Sequence, residues 1–142
     1  MNFKRVLKNI IVFVAMMIIL VINIVPTVSK ASSKGYGLAF DYDQDIDYTN
    51  TEDKNTYSSV GMTCTYSETS SAYYVARVFG VDGERFDYSH GYEYTFYEGT
   101  SQNMLNWVRE NGCSKACVRG IGYNIDSEYG TVFTGEWSPD LY

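Results

Sequence analysis

The chain has 142 residues, with 17 acidic against 11 basic side chains and a net charge of −6. This charge excludes nucleic acid as a natural partner, since phosphate binding needs a clustered positive field, and it disfavours unassisted binding to anionic membranes. Fourteen tyrosines in a sequence that is 16% aromatic favour a folded, sheet-rich protein over a disordered one.

Residues 1–31 have the organisation of a secretory signal peptide. A basic start (Lys4 to Lys8) precedes an apolar run from Ile10 to Ile22, and small residues lead to a cleavage point after Ala31. The alternative is an uncleaved anchor, but the apolar segment is shorter than the roughly 20 residues that a spanning helix needs. We therefore expect export and an extracellular protein that meets a membrane only transiently, through its signal peptide.

Cleavage after Ala31 changes both the size and the charge of the chain. It removes four bases and no acid, so seven bases remain against 17 acids, a net charge of −10. The remaining 111 residues, 32–142, are enough for one domain.

An acidic arm, residues 32–56, opens this mature chain, and we expect it to be weakly structured. Its segment DYDQDIDYTNTE has carboxylates at the spacing of positions one, three, five and twelve of an EF-hand calcium loop. These carboxylates are Asp41, Asp43, Asp45 and Glu52. Ile46, however, occupies the position where that loop requires glycine. The favoured interpretation is a solvated arm without a cofactor, and calcium at the four carboxylates is the alternative.

The β-rich globular domain is expected over residues 57–142, and its first strands follow the acidic arm directly. Apolar and polar residues alternate from Val60 to Tyr66, as in a strand with one buried face. The run Ala72–Val81 is apolar on both faces except at Arg77. Asp82-Gly83 then predicts a tight turn into a return strand over Glu84–Ser89.

A change of periodicity follows the next strand, Gly91–Gly99. Apolar residues between 101 and 111 fall at helical spacing, and Gly112 stands where a helix ends in the left-handed conformation. We therefore predict one short α-helix near 101–111. Two final strands are predicted over Cys117–Ile125 and Gly130–Trp137.

These elements predict a mainly β fold, either a small antiparallel β-sandwich or a curled sheet, closed on one side by the short helix. The predicted core draws apolar residues from every element. Its members are Val60, Met62, Tyr74, Val78, Phe86, Phe96, Leu105, Val108, Ile121, Phe133 and Trp137.

Three cysteines, all in the mature chain, give an odd count for a secreted protein. A bridge from Cys64 to Cys117 would join a strand to the segment after the helix, and we prefer it to the local alternative of Cys113 with Cys117. Cys113 would then be left to link two chains in a disulfide-bonded dimer.

The candidate contact residues are tyrosines on predicted strands, because their flat rings stack on sugars or anchor protein partners at low entropic cost. The candidate rings are Tyr73, Tyr92, Tyr94, Tyr97, Tyr123 and Tyr129, and of these Tyr92, Tyr94, Tyr97 and Tyr123 are the predicted contact residues. Catalysis is the least favoured class. His90 is the only histidine, and no activated nucleophile can be assigned to it, so a wall hydrolase has little support.

The carboxy-terminal sequence GEWSPD, residues 135–140, resembles the tail of small secreted exoproteins of Gram-positive bacteria that end in glycine-x-tryptophan-serine-proline-aspartate. The resemblance covers about the last forty residues and implies secretion by export of the Gram-positive type, without implying a particular activity. The layout of a signal peptide and a small β domain is also similar to that of lactococcin-like secreted bacteriocins, although no motif is shared with them.

The sequence thus predicts an extracellular interaction protein, bacteriocin-like or a surface-adhesion factor, rather than an enzyme. A cell-wall or carbohydrate-binding protein, assisted by calcium, is the alternative. The expected partner is a protein or a cell-surface glycan.

Overall fold

The structure, a computed structural model, describes residues 32–141 and contains ten β-strands in that range. The strands are β1 (Lys34–Phe40), β2 (Ile46–Tyr48), β3 (Glu52–Asp53), β4 (Val60–Ser67), β5 (Tyr73–Asp82), β6 (Glu84–Asp87), β7 (Tyr94–Phe96), β8 (Ser101–Met104), β9 (Lys115–Tyr123) and β10 (Thr131–Ser138). Residues 1–31, on which the predicted signal peptide falls, lie outside the described range. No helix within residues 32–141 has the length and apolar character needed to span a membrane.

Two antiparallel sheets share the ten strands. The smaller sheet has the order β1-β10-β4-β8. The larger sheet has the order β2-β9-β5-β6, with β3 also paired to β9 and β7 also paired to β5. The hairpin of β5 and β6 confirms the prediction, and the chain reverses at Gly83, whose φ is 74°.

The hydrophobic core lies between the two sheets, which pack face to face as a sandwich. The smaller sheet contributes Leu38, Phe40 and Phe133, and the larger sheet contributes Tyr74 and Val118. The ring of Tyr74 meets that of Phe133 edge to face, with centroids 5.0 Å apart. The mainly β, antiparallel prediction is therefore confirmed.

The predicted helix near 101–111 is wrong, because this segment begins as β8 and ends in a turn. Met104 pairs with Val60 of β4, so the first residues belong to the smaller sheet. Asn106 then accepts a hydrogen bond from the Val108 amide and donates one to the Met104 carbonyl. Such local side-chain bonds compete with helix formation. Leu105, at a helical core position in the prediction, is 46% exposed as a result.

The acidic arm differs from its predicted, weakly structured state, because residues 32–56 contain β1, β2 and β3. Three residues of β1 lie in the core: Tyr36, Leu38 and Phe40. The Asp47 carboxylate accepts a hydrogen bond from the Ala39 amide at 2.9 Å and so joins β2 to the edge of β1. Acidic side chains here satisfy backbone donors, which the charge pattern alone does not reveal.

An irregularity between β4 and β10 explains why Tyr66 is exposed although the alternation predicted it to be buried. Gly135 pairs with Cys64, but its neighbour Thr134 pairs with Tyr66, so β4 has one extra residue. The extra residue reverses the alternation, and Ser67 is buried in place of Tyr66. A Cβ on Gly135 would lie 2.0 Å from the Thr63 carbonyl oxygen, so this crossing requires glycine.

The GEWSPD tail has a structural role in closing the sandwich. Trp137 is 1% exposed and belongs to the core. Asp140 pairs at 3.0 Å with Lys54, whose side chain is fully buried. The Lys54 ammonium also donates to the carbonyls of Ser58 and Pro139, at 2.6 and 2.7 Å. These contacts attach the last residues of the chain to the segment that follows β3.

The three cysteines, which all lie within the described residues, are free thiols, so the predicted bridge from Cys64 to Cys117 is not formed. Cys64 belongs to the core between the sheets. In β9 the core residues are Ala116 and Val118, and Cys117 between them points to the other side. The larger sheet therefore separates the two thiols. Cys113 is 5% exposed, which is unfavourable for a crosslink between two chains.

Candidate functional site

The outer face of the larger sheet, opposite the core, is the candidate site. In β5 the core takes Tyr74, Ala76 and Val78, so the alternate residues of this strand point outward. β5 pairs with β6, β7 and β9, and β9 pairs with β2, so the outward residues of these four strands belong to the same surface. We call this surface the outer face. It includes Ile46, Tyr48, Tyr73, Val75, Arg77, Phe79, Arg85, Tyr97, Arg119, Ile121 and Tyr123.

A row of three tyrosines crosses one end of the outer face. The ring of Tyr73 stacks on that of Tyr123, at 5.2 Å and an interplanar angle of 13°, and lies 5.1 Å from the ring of Tyr97 on its other side. Rings stacked across neighbouring strands turn their faces to each other and their edges to solvent. The row therefore presents hydroxyl groups and ring edges rather than a flat stacking platform.

An apolar row lies beside the tyrosines. Val75 of β5 pairs with Ile121 of β9, and Ile121 pairs with Ile46 of β2. Ile46 is 48% exposed, as is Tyr97 in the neighbouring row. Large apolar side chains that stay exposed side by side are typical of a contact surface.

Three of the four arginines in residues 32–141 lie on the outer face, although the chain is acidic overall. Arg77 donates to Glu93 at 2.9 Å and to Asp87 at 3.0 Å. These hydrogen bonds raise the pKa of Arg77, and the bond to Glu93 has the larger effect. Its charge is thus neutralised within the protein.

The other two arginines, Arg85 and Arg119, lie on aromatic rings. The Arg85 guanidinium is 4.5 Å from the centroid of Tyr48, and that of Arg119 is 4.9 Å from the centroid of Phe79. The two rings meet edge to face, with centroids 5.8 Å apart. Within residues 32–141 neither guanidinium forms a salt bridge, and the buried Nε of Arg119 has no hydrogen-bond partner.

The four predicted contact tyrosines are divided among three environments. Tyr97 and Tyr123 flank Tyr73 on the outer face. The Tyr94 hydroxyl accepts a hydrogen bond from the Leu105 amide at 2.9 Å, and its ring packs against the core. Tyr92 is half exposed and stacks with Trp107, on which His90 also stacks at 4.2 Å.

The predicted calcium ligands are not brought together. Asp45 accepts from the Asp41 amide, Asp43 accepts from the Ile125 amide at 2.6 Å, and Glu52 accepts from the Asn50 side chain. No group of three or more His, Cys, Asp or Glu residues within 32–141 is arranged to hold a metal ion.

Sequence reasoning included Tyr73 among the candidate tyrosines but missed Arg85 and Arg119 as members of the site. The available signal was the period of two in Ala72–Val81, which places Tyr73 and Arg77 on one face. Apolar residues on both faces of that run obscured which face was open. The pairing of β5 with β9, about forty residues away, could not be read from local pattern.

Comparison with known proteins gives one result. No curated protein and no solved structure matches this chain. Residues 25–141 match the family described as a protein of unknown function, DUF2712. Because the match includes every described strand and well over half of the chain, the protein belongs to the DUF2712 family.

Proposed function

We propose that the protein is a secreted extracellular interaction protein that binds a protein partner through the outer face. The observation that carries this proposal is the exposure, on one continuous sheet surface, of tyrosine, isoleucine and arginine side chains. Tyrosine and arginine are enriched at the energetically dominant positions of protein interfaces. The signal-peptide pattern of residues 1–31 supports an extracellular place of action.

The orientation of the tyrosine row favours a protein over a glycan as the partner. Sugars stack on ring faces, whereas Tyr73 has a neighbouring ring on each side. Ring edges with hydroxyl groups, next to branched apolar side chains, suit the mixed polar and apolar surface of a protein. The same surface would serve an adhesion factor or a bacteriocin-like protein.

Cell binding by matched variants tests the proposal. Tyr97→Ser and Ile46→Ser change the outer face, whereas Tyr66→Ser and Leu105→Ser change side chains of nearly equal exposure elsewhere. The purified protein is labelled and its binding to a panel of Gram-positive strains is quantified, together with growth inhibition. We expect the outer-face variants to lose affinity about tenfold or more, as at interface hot spots.

The control variants decide the interpretation. Equal losses in both pairs, or full binding by the outer-face pair, would remove the outer face as the contact surface. Growth inhibition of the bound strains would identify an antagonist, and binding without inhibition would identify an adhesion factor.

A wall glycan is the second candidate, and the exposed Tyr92 beside Trp107 favours it. Sugar binding there would be lost on Tyr92→Ala and would be competed by soluble wall fragments. Retention of cell binding in both experiments would exclude this candidate.

A further inference from the structure

We propose that Arg85 and Arg119 form an anion-binding pair that receives the carboxylates of an acidic segment in the protein partner. This inference rests on the proposed function and adds the chemistry of the partner to it. The pair occupies the part of the outer face next to the apolar row, since Arg119 pairs with Tyr48 of β2 two residues from the pairing of Ile121 with Ile46.

Both guanidinium groups are held in place before a ligand arrives. Arg85 lies over Tyr48, Arg119 lies over Phe79, and the two rings contact each other edge to face. A guanidinium that rests on a ring keeps its N–H donors free at its rim, and its restricted motion lowers the entropic cost of binding. The pair is therefore preorganised for oxyanions.

Arg77, on the same surface, differs from this pair because carboxylates of the protein itself neutralise its charge. Asp87 and Glu93 accept its hydrogen bonds, so this guanidinium does not require an anion from a ligand. Arg85 and Arg119 have no such acceptors among the carboxylates of residues 32–141. Within the same residues the buried Nε of Arg119 also has no hydrogen-bond partner, so the protein itself does not satisfy this guanidinium.

The apolar neighbours favour an acidic peptide segment over a phosphate polymer. Ile46 lies two residues from Tyr48 on the same strand, about 7 Å along it, so a ligand that reaches Arg119 also covers Ile46. A polyphosphate chain would cover Ile46 and its neighbour Ile121 without offering them an apolar contact. A peptide that alternates acidic and apolar side chains can place its carboxylates on the arginine pair and its apolar side chains on the apolar row.

The net charge of the chain makes this binding specific to the pair. Outside residues 1–31 the protein carries ten more acids than bases, so an acidic ligand is repelled by most of its surface. Only a local positive site can hold such a ligand, and screening by salt weakens that attraction.

Three soluble probes test the inference on the purified protein. The probes are a random copolymer of glutamate and tyrosine, poly-glutamate and polyphosphate, each titrated at low and at physiological salt. We expect the copolymer to bind most tightly and Arg119→Glu or Arg85→Gln to weaken it about tenfold. Lys34→Glu makes the same change of charge as Arg119→Glu at a side chain 44% exposed on the smaller sheet, and it should leave binding unchanged.

Circular dichroism of each variant separates lost binding from lost folding, and Arg85→Gln serves where Arg119→Glu fails to fold. Copolymer binding that is no tighter than polyphosphate binding, or equal losses in Lys34→Glu, would overturn the inference. Cell binding that survives both arginine variants but not Ile46→Ser would reject an anion-binding role for Arg85 and Arg119 and leave the proposed function intact. Copolymer binding that needs the arginines, with cell binding indifferent to the outer face, would retain the pair and reject the proposed function.

Discussion

Lys54 and Asp140 form a buried ion pair that holds the end of the chain. Asp140 also accepts hydrogen bonds from the amides of Asn55 and Thr56, at 2.9 and 3.0 Å. Burial lowers the pKa of Lys54 and acts to raise that of Asp140, but the hydrogen bonds to Asp140 outweigh burial and hold its pKa below the ordinary range. Both charges therefore depend on each other and on the backbone around them.

Asp140→Asn should lower the free energy of unfolding by about 3–5 kcal/mol, since it leaves the buried ammonium without its counter-charge. Urea unfolding at pH 7 measures the change. Asp53→Asn, an exposed aspartate near Lys54 in sequence, is the control and should shift stability by no more than about 0.5 kcal/mol. A loss below about 1 kcal/mol for Asp140→Asn would contradict the role assigned to the pair.

The same pair predicts a pH dependence. A carboxyl whose pKa is depressed by folding contributes its full stability above its unfolded pKa, about 3.9, and loses that contribution as the pH falls through the folded value. The stability difference between the wild-type protein and Asp140→Asn should therefore be constant from pH 5 to 7 and shrink below about pH 4. A difference that does not change down to pH 2 would show that Asp140 is not the titrating group.

The three thiols give a prediction that bears on the predicted bridge. Burial raises the pKa of Cys64 and of Cys117, so both favour the unreactive thiol form. We expect little alkylation of the native protein at pH 7 and labelling of all three cysteines after unfolding without reductant. Labelling of only one cysteine under those conditions would show that the other two form a disulfide.

Among the elements, the crossing of β4 and β10 depends most on a single glycine. Gly135→Ala would place a methyl group against the Thr63 carbonyl, and overpacking of this kind costs about 1–3 kcal/mol or more. The melting temperature should fall by roughly 10 °C. Gly37→Ala, in β1 with nothing within 4 Å of the added carbon, is the matched control and should melt close to the wild type.

Strands with a regular alternation were predictable from sequence, and those whose pattern is set by distant partners were not. The alternation of Val60, Met62 and Cys64 fixed the buried face of β4, but the bulge that exposes Tyr66 arises from its pairing with β10. The helical spacing of Met104 and Val108 was misleading because both are buried without a helix. Only the tyrosines of the candidate site, Tyr73, Tyr97 and Tyr123, were among the sequence candidates, since the aromatic supports of Arg85 and Arg119 come from other strands.

At the scale of the whole molecule, β1 and β10, the first and last strands of residues 32–141, close the fold. Lys34 of β1 pairs with Trp137 of β10, and the register continues to Phe40 with Thr131. A chain lacking residues 1–40 would lose three core side chains and should show no cooperative thermal transition by circular dichroism. A chain lacking only residues 1–33 keeps β1 and should unfold cooperatively. Cooperative melting of the shorter chain would show that β1 is dispensable.

The pairing of β1 with β10 also sets a delay between synthesis and folding. Partners that lie 103 positions apart cannot meet until the last strand has been made, which takes roughly 5 to 20 s at about 5–20 residues per second. During that time β1 has no neighbour within its own sheet, and such long-range pairing is intrinsically slow. The smaller sheet therefore cannot be completed before β10 has been made, and until then the core side chains of β1 lack their partner strand.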